Sequence, residues 1–230
     1  MIKVERIPSG IPGLDKLIGG GFVKGSVNLL SGSAGTGKTI FACQFILEGL
    51  RNGEPGVYLT LEQEKDEILK DISLFGWDTE FQKYIRAGKL LLVSEFPSKI
   101  RDLQVKAVEL IERIKAKRFV LDSLTVAEMG WGEVKDLGKI RREVFDFLKT
   151  LKRFGVTSLL ISETPEGEKS LSTFGFEEFV VDGIIVLHYL EYAAGGTPRS
   201  LIIRKMRRTK HATDIFPFEI TSKGIVVKKG

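Results

Sequence analysis

Gly32-Ser33-Ala34-Gly35-Thr36-Gly37-Lys38-Thr39 matches every fixed position of the pattern G-x-x-x-x-G-K-[ST]. The apolar run Val27 to Leu30 before it predicts a buried strand, and Ile40 to Leu50 after it predicts a helix. In that setting the glycines let backbone N–H groups point at the phosphates of a nucleotide, and the start of the helix favours anions. We therefore expect the loop and Ile40 to bind a nucleotide, Lys38 to reach its outer phosphates and Thr39 to ligate magnesium. The alternative is a glycine-rich turn that only links a strand to a helix.

Length and composition favour one cytosolic domain. The chain has 230 residues, enough for a single large α/β domain over residues 1–230. No apolar run approaches the roughly 20 residues that cross a bilayer, and residues 1–10 lack a signal-peptide stretch, so no membrane partner is expected. Cys43 is the one cysteine, so we expect no internal disulfide and a packing role for Cys43. Scarce asparagine and glutamine beside abundant lysine and glutamate suggest a thermophilic source.

The formal charge is +5, and basic residues are concentrated from Arg199 to the C-terminus. Such clustering attracts nucleic acid. Lysines that blunt the edge of a sheet, or cations that serve a phosphate ligand, explain it equally well.

Strands and helices alternate along the first two thirds of the chain. Helical spacing covers Glu64 to Phe75, Lys99 to Lys115 and Ile140 to Leu151, and strands are predicted at Gly56 to Leu61, Leu90 to Val93, Arg118 to Asp122 and Thr157 to Ser162. Four consecutive strands without helices follow at Phe179 to Leu190, Ser200 to Met206, Ile215 to Ile220 and Ile225 to Val227. The prediction is an α/β fold, a mainly parallel sheet flanked by helices with an antiparallel C-terminal extension.

A carboxylate follows the apolar strand that begins at Arg118. Asp122 at the end of this strand is placed to hold magnesium through water, beside the hydroxyl of Thr39. The alternative is an aspartate that caps the next turn.

Glu62 comes at the end of the strand that begins at Gly56. In an open parallel sheet this is the edge where ligands bind, so Glu62 is the candidate base for activating water. The neighbouring Gln63 can hydrogen-bond a water but cannot take its proton. Alternatively, Glu62 is the carboxylate that starts the helix Glu64 to Phe75.

Several segments together resemble the KaiC-type branch of RecA-like ATPases, in particular its single-domain archaeal members. They follow one another in the order of that family and cover nearly the whole chain: Ser9 to Asp15, Gly19 to Gly21, the phosphate loop, Glu62, Phe75 to Asp78, Asp122-Ser123, Phe176 to Asp182 and Lys205-Met206-Arg207. The resemblance implies a RecA-like P-loop NTPase core that binds ATP with Mg²⁺.

The resemblance also implies a homo-oligomeric ring, which in the family is a hexamer. Its members bind ATP between subunits, and Lys205 and Arg207 match a Lys-x-Arg pair that approaches the neighbour's phosphate. Residues two apart on a strand face the same side, so both cations can point at one phosphate. Thr209 and His211 are implied to lie close to the same nucleotide. An edge strand made unattractive to partners by its charges is the alternative.

Two segments correspond to loops that grip DNA in recombinases, Glu128 to Asp136 and Glu163 to Gly175. Trp131 in the first could stack on a base. Acidic residues in both segments, among them Glu133 and Glu166, oppose the passage of phosphates, and a tryptophan packed on a neighbouring subunit is the preferred interpretation.

The leading hypothesis is a ring-forming regulatory or signalling ATPase. A DNA-dependent recombination-type ATPase is the main alternative. An autokinase is less favoured, because Glu177-Glu178-Phe179 stands where the clock protein carries acceptor hydroxyls, although Ser170, Ser172 and Thr173 precede it. A non-enzymatic ATP-binding scaffold is the fourth possibility.

Overall fold

The computed structural model describes residues 4–96, 99–129, 137–164, 177–189 and 199–228. The strands are β1 Arg6–Ile7, β2 Phe22–Val23, β3 Val27–Gly32, β4 Gly56–Thr60, β5 Leu90–Ser94, β6 Arg118–Asp122, β7 Thr157–Glu163, β8 Gly183–Tyr189, β9 Arg199–Met206, β10 Ile215–Thr221 and β11 Gly224–Val227. The helices are α1 Leu14–Leu17, α2 Lys38–Arg51, α3 Lys65–Ser73, α4 Asp78–Arg86, α5 Ile100–Ile114, α6 Leu124–Met129, α7 Leu137–Arg153 and α8 Glu177–Val180. None of the helices in these ranges is long and apolar enough to span a membrane.

Nine strands form one sheet in the order β11-β10-β9-β8-β3-β7-β6-β4-β5. The six strands from β8 to β5 run parallel. The last three, β9, β10 and β11, continue the sheet antiparallel at one edge. The predicted fold class is therefore confirmed, and β1 and β2 form a separate small antiparallel pair.

Hydrophobic layers cover both faces of the large sheet. On one face α2, α3 and α4 pack on the strands, with Phe45 and Leu30 in that layer. On the other face lie α5, α6 and α7, with Leu29 and Val144. Consecutive strand residues point to opposite faces, which is why Leu29 and Leu30 enter different layers. Because β3 is buried along its whole length, the loop that follows it starts from a rigid base.

One predicted strand is wrong in its first half. The segment from Phe179 begins in the short helix α8, and β8 starts only at Gly183. Asp182 separates the two elements, because its backbone N–H donates to the carbonyl of Val27 and its carboxylate accepts from the N–H of the same residue. A short apolar run does not distinguish strand from helix by periodicity, and this tertiary contact decides the boundary. The predicted end at Leu190 lies outside the described residues.

Besides α8, five short elements were not predicted, namely β1, α1, β2, α4 and α6. Helix α4 places Phe81, Tyr84 and Ile85 against the core at helical spacing, but these three residues span less than two turns, which is too short a pattern to predict a helix. The elements that were predicted lie close to their expected bounds, such as α5, which starts one residue after Lys99.

Candidate nucleotide-binding site

The loop between β3 and α2 has the backbone that the glycine spacing predicts. Gly35 and Gly37 have φ angles of +73° and +98°, which side chains other than glycine rarely adopt. Gly37 is also the residue before the first turn of α2, so the loop closes over the N-terminus of that helix. Four backbone N–H groups at such a helix end have no partner within the helix, and they form a ready anion site.

Lys38 is held inside this loop. Its ammonium donates to the carbonyl of Ser33 at 2.9 Å and forms an ion pair with Glu163 at 3.1 Å. The side chain is almost buried, because only 7% of Lys38 is exposed. Glu163 ends β7, which lies between β3 and β6, so the strand order brings this carboxylate to the lysine.

Asp122 ends β6 at the same edge of the sheet. Its Oδ2 accepts a hydrogen bond from Thr39 Oγ1 at 3.1 Å and a second from the hydroxyl of Tyr58 at 2.6 Å. Burial raises the pKa of Asp122, and the two hydroxyl donors act in the opposite direction. The carboxylate thus contacts both α2, through Thr39, and β4, through Tyr58.

Thr39 and Asp122 fit a magnesium ion. Both offer oxygen ligands, and carboxylates outnumber cations in this cavity, with Glu62, Asp71, Asp122 and Glu163 against Lys38 and Arg199. No cluster of three or more ligating His, Cys, Asp or Glu side chains occurs among the residues that the structure describes. Mg²⁺ needs none, since it binds through one or two carboxylates, waters and the phosphates of the substrate.

Glu62 lies two residues beyond the end of β4. The hydroxyl of Thr60 accepts from the backbone N–H groups of Glu62 and Gln63 at 3.3 and 3.1 Å, which fixes this turn. The Glu62 carboxylate accepts a hydrogen bond from Ser123. Although Glu62 is partly exposed, the surrounding protein desolvates its carboxylate and raises its pKa, while the Ser123 hydrogen bond lowers it. The alternative role as a helix start is taken by Glu64, which forms a reciprocal capping box with Glu67.

A cavity of about 580 Å³ joins these groups. Its polar side includes the loop, Glu62, Gln63, Asp122 and Glu163, and its apolar side is formed by Ile40, Ile72, Leu74, Phe75 and Ile220. Arg199 also lines it, donates to the carbonyl of Gly35 at 3.1 Å and stacks on Tyr189. Gln63 donates to Asp71 on α3 at 3.1 Å.

Sequence reasoning missed four of these residues: Tyr58, Ser123, Glu163 and Arg199. Glu163 was considered only as part of an acidic loop, and Arg199 only as part of the basic C-terminal cluster. Their positions follow from the strand order and register, which the sequence does not specify. The hydroxyl of Tyr58 inside an apolar strand was the one local signal available, because a buried hydroxyl requires a partner.

Lys205 and Arg207 lie elsewhere in this protomer. Lys205 donates to the carbonyl of Glu178 at 2.8 Å, and Arg207 donates to that of Phe179 at 3.2 Å, so both cations face α8. Neither lines the cavity around the phosphate loop. Met206 between them packs in the core, while burial and the charge of Arg207 lower the pKa of Lys205.

Thr209 and His211 follow this pair, away from the loop cavity. The hydroxyl of Thr209 accepts from the guanidinium of Arg6 at 2.9 Å, and Nδ1 of His211 lies 2.8 Å from the carbonyl of Ala212. Arg6 also donates to the carbonyls of Ile18 and Gly21 at 3.0 Å, so it ties this segment to the N-terminal elements.

A second cavity, of about 650 Å³, adjoins Arg207. Its lining is strongly basic and partly aromatic: Arg141, Arg142, Phe145, Lys149, Lys152, Phe179 and Arg207. Phe179 is 65% exposed, which is unusual for a phenylalanine. Trp131, Glu133, Glu166, Ser170, Ser172 and Thr173, named above for partner or acceptor roles, lie outside the described residues.

Comparisons with known proteins find relatives that match nearly the whole chain. The ATPase family described as KaiC matches residues 7–230. A UPF0273 protein of Thermotoga maritima is 36% identical, over 97% of this chain and 96% of its own length. The circadian clock protein KaiC3 of Synechocystis is 33% identical over 97% of this chain, which spans 46% of that protein.

A solved structure resembles this one over nearly its whole length. It is the crystal structure of a KaiC-like protein from the hyperthermophilic archaeon Pyrococcus horikoshii, 40% identical, with a TM-score of 0.86 and coverage of 99% and 100% of the two chains. The matching family model and these relatives show that the chain belongs to the KaiC family of ATPases.

Proposed function

We propose that this protein hydrolyses ATP with Mg²⁺ at sites shared between neighbouring copies of the chain, and that residues 1–230 form one ATPase domain. The observation that carries the proposal is the convergence on one cavity of Lys38 and Thr39 from α2, Glu62 from the turn after β4, and Asp122 from the end of β6. A structural loop would not require a buried lysine and a buried aspartate at the same edge of a sheet.

Each residue has a separate task in this mechanism. The loop amides and Lys38 bind the phosphates, and Lys38 exchanges Glu163 for the outer phosphate oxygens. Thr39 and Asp122 hold Mg²⁺, which when bound neutralises charge that develops on the phosphates. Glu62 accepts a proton from the attacking water, and its raised pKa makes it a better base than an exposed glutamate. The apolar side of the cavity, with Ile220 and Phe75, receives the base.

The second part of the proposal is assembly. Lys205 and Arg207 lie away from their own phosphate loop, as expected for cations that serve a neighbour. The face that carries Arg207 is basic, with Arg142 and Lys149 around exposed Phe179, whereas carboxylates outnumber cations by four to two in the lining of the loop cavity. Opposite charges of this kind favour head-to-tail contact between two copies, and such contacts close into a ring. A hexamer is the size we expect.

A regulatory role follows if the nucleotide controls these contacts.

A DNA-dependent ATPase is the second candidate, favoured by the basic lining of the second cavity, which combines cations with exposed Phe145 and Phe179. We further propose a cytoplasmic location, which suits the buried free thiol of Cys43, and a thermophilic source, which suits the thermophilic relatives.

Phosphate release tests the proposed function. We expect Mg²⁺-dependent turnover of ATP that Lys38→Ala abolishes and that Glu62→Gln lowers by about 10²–10⁴-fold. The matched controls Lys70→Ala and Glu112→Gln change exposed side chains outside the cavity and should leave turnover unchanged. If Glu62→Gln has no effect, Glu62 is not the base. Stimulation by single-stranded DNA that weakens with salt would favour the second candidate.

A further inference from the structure

Tyr58 carries a hydroxyl group into a hydrophobic layer of the core. The residue is fully buried in the middle of β4, where Val57 and Leu59 on either side enter the opposite layer. A hydroxyl in such surroundings costs free energy unless it is hydrogen-bonded. Phenylalanine would fill the same space, so packing alone does not explain a tyrosine here. The hydrogen bond of its hydroxyl group is what distinguishes the two residues.

That partner is Asp122 on the adjacent strand. Tyr58 pairs with Val120 across β4 and β6, so Asp122 is the diagonal neighbour on the same face, within reach of a long side chain. The phenol donates to Oδ2 at 2.6 Å, and Thr39 donates to the same oxygen at 3.1 Å. Both hydroxyls donate to Oδ2, so Oδ1 is the oxygen of this carboxylate that would accept from the water of a bound metal ion.

We propose that Tyr58 is a positioning residue for the magnesium site, which fixes the Asp122 carboxylate so that it and Thr39 meet the ion in one preset geometry. The proposal deepens the proposed function and rests on it. In this arrangement Thr39 directs its proton to Asp122 and keeps its lone pairs for the metal. Residues behind the ligands of a metal commonly set its affinity in this way.

The test separates metal affinity from catalysis. Mn²⁺ replaces Mg²⁺ as the probe, and loss of the free-ion electron paramagnetic resonance signal measures its binding to the protein–ADP complex. We expect Tyr58→Phe to weaken Mn²⁺ binding by about 10-fold or more. ADP binding in EDTA, which needs the loop but no metal, should stay within twofold of wild type. Tyr84→Phe removes a hydroxyl from α4, beside the same core layer, and should change neither quantity.

A double-mutant cycle shows whether Tyr58 acts through Asp122. In an Asp122→Asn background, Tyr58→Phe should cause no further loss of Mn²⁺ affinity. Unchanged Mn²⁺ affinity in the single variant, equal losses of ADP affinity with and without metal, or loss of cooperative unfolding would each overturn the assignment. If the wild-type protein binds no ADP in either condition, the proposed function itself fails, which is a different result from a wild-type-like Tyr58→Phe.

Discussion

The carboxylate of Glu62 shows how single contacts adjust one reactive group. Burial raises its pKa, and the hydroxyl of Ser123 counteracts that rise, although the two residues are 61 positions apart in the chain. The sequence predicted Glu62, Asp122 and the loop because each occupies a fixed place relative to its own strand. It could not predict Ser123, Glu163 or Tyr58 as partners, because their contacts depend on which strands are neighbours.

Removing the Ser123 hydroxyl should shift the pH dependence of turnover. Glu62 must be deprotonated to act as the base, so activity falls as the pH drops through its pKa. Because Ser123 lowers that pKa, Ser123→Ala should move the acidic limb of kcat to higher pH. The check is a pH–rate profile beside Ser73→Ala, which removes an exposed hydroxyl from α3. A profile identical to wild type would exclude Glu62 as the titrating base.

At the scale of elements, a buried arginine fastens β6 to the loop helix. Arg118 at the start of β6 is fully buried, donates to the carbonyl of Phe45 on α2 at 2.7 Å and pairs with Glu54 at 2.7 Å. Burial lowers its pKa, and Glu54 counteracts this effect. Gly49 leaves the space that the guanidinium fills, because a side chain there would overlap it. Both elements were predicted from periodicity, but nothing in the local pattern predicted this connection.

Removing the carboxylate of Glu54 should destabilise the fold more than breaking an exposed ion pair does. Glu54→Gln leaves the buried charge of Arg118 without its counter-ion, so we expect a loss of about 2–4 kcal/mol in the free energy of unfolding. Glu80→Gln breaks the partly exposed pair with Arg51 and should cost about 1 kcal/mol or less. Urea unfolding of the two variants measures the difference, and equal losses would contradict the structural role given to Arg118.

At the scale of the whole molecule, the loop that binds the phosphates and the cations proposed to serve a neighbour lie on different strands of one sheet. The phosphate loop follows β3, and the cations Lys205 and Arg207 come at the end of β9, with β8 between these strands. The alternation of elements in the sequence predicted the parallel core and its antiparallel extension. The strand order and the short N-terminal elements could not be read from the sequence, since they depend on long-range pairing.

Mixing two inactive variants tests the shared site. Lys38→Ala removes the phosphate-binding lysine, and Arg207→Ala should lower kcat by on the order of 10³-fold if Arg207 serves a neighbour. A mixture of the two should regain part of the wild-type rate, because some contacts then join an intact loop to an intact Arg207. The control is the sum of the rates of the separate variants. A mixture no faster than that sum would place Arg207 in its own subunit's site or outside catalysis.

The phosphate loop follows β3, whereas Lys205 and Arg207 come at the end of β9. The two parts of the proposed shared site therefore lie at different places on each protomer. If the site is shared as proposed, one face of each protomer receives Lys205 and Arg207 and another face supplies them, so a dimer that pairs two identical faces would leave both centres incomplete. In the proposed ring, each protomer that joins an open chain completes one more shared site, and closing the ring completes the last one.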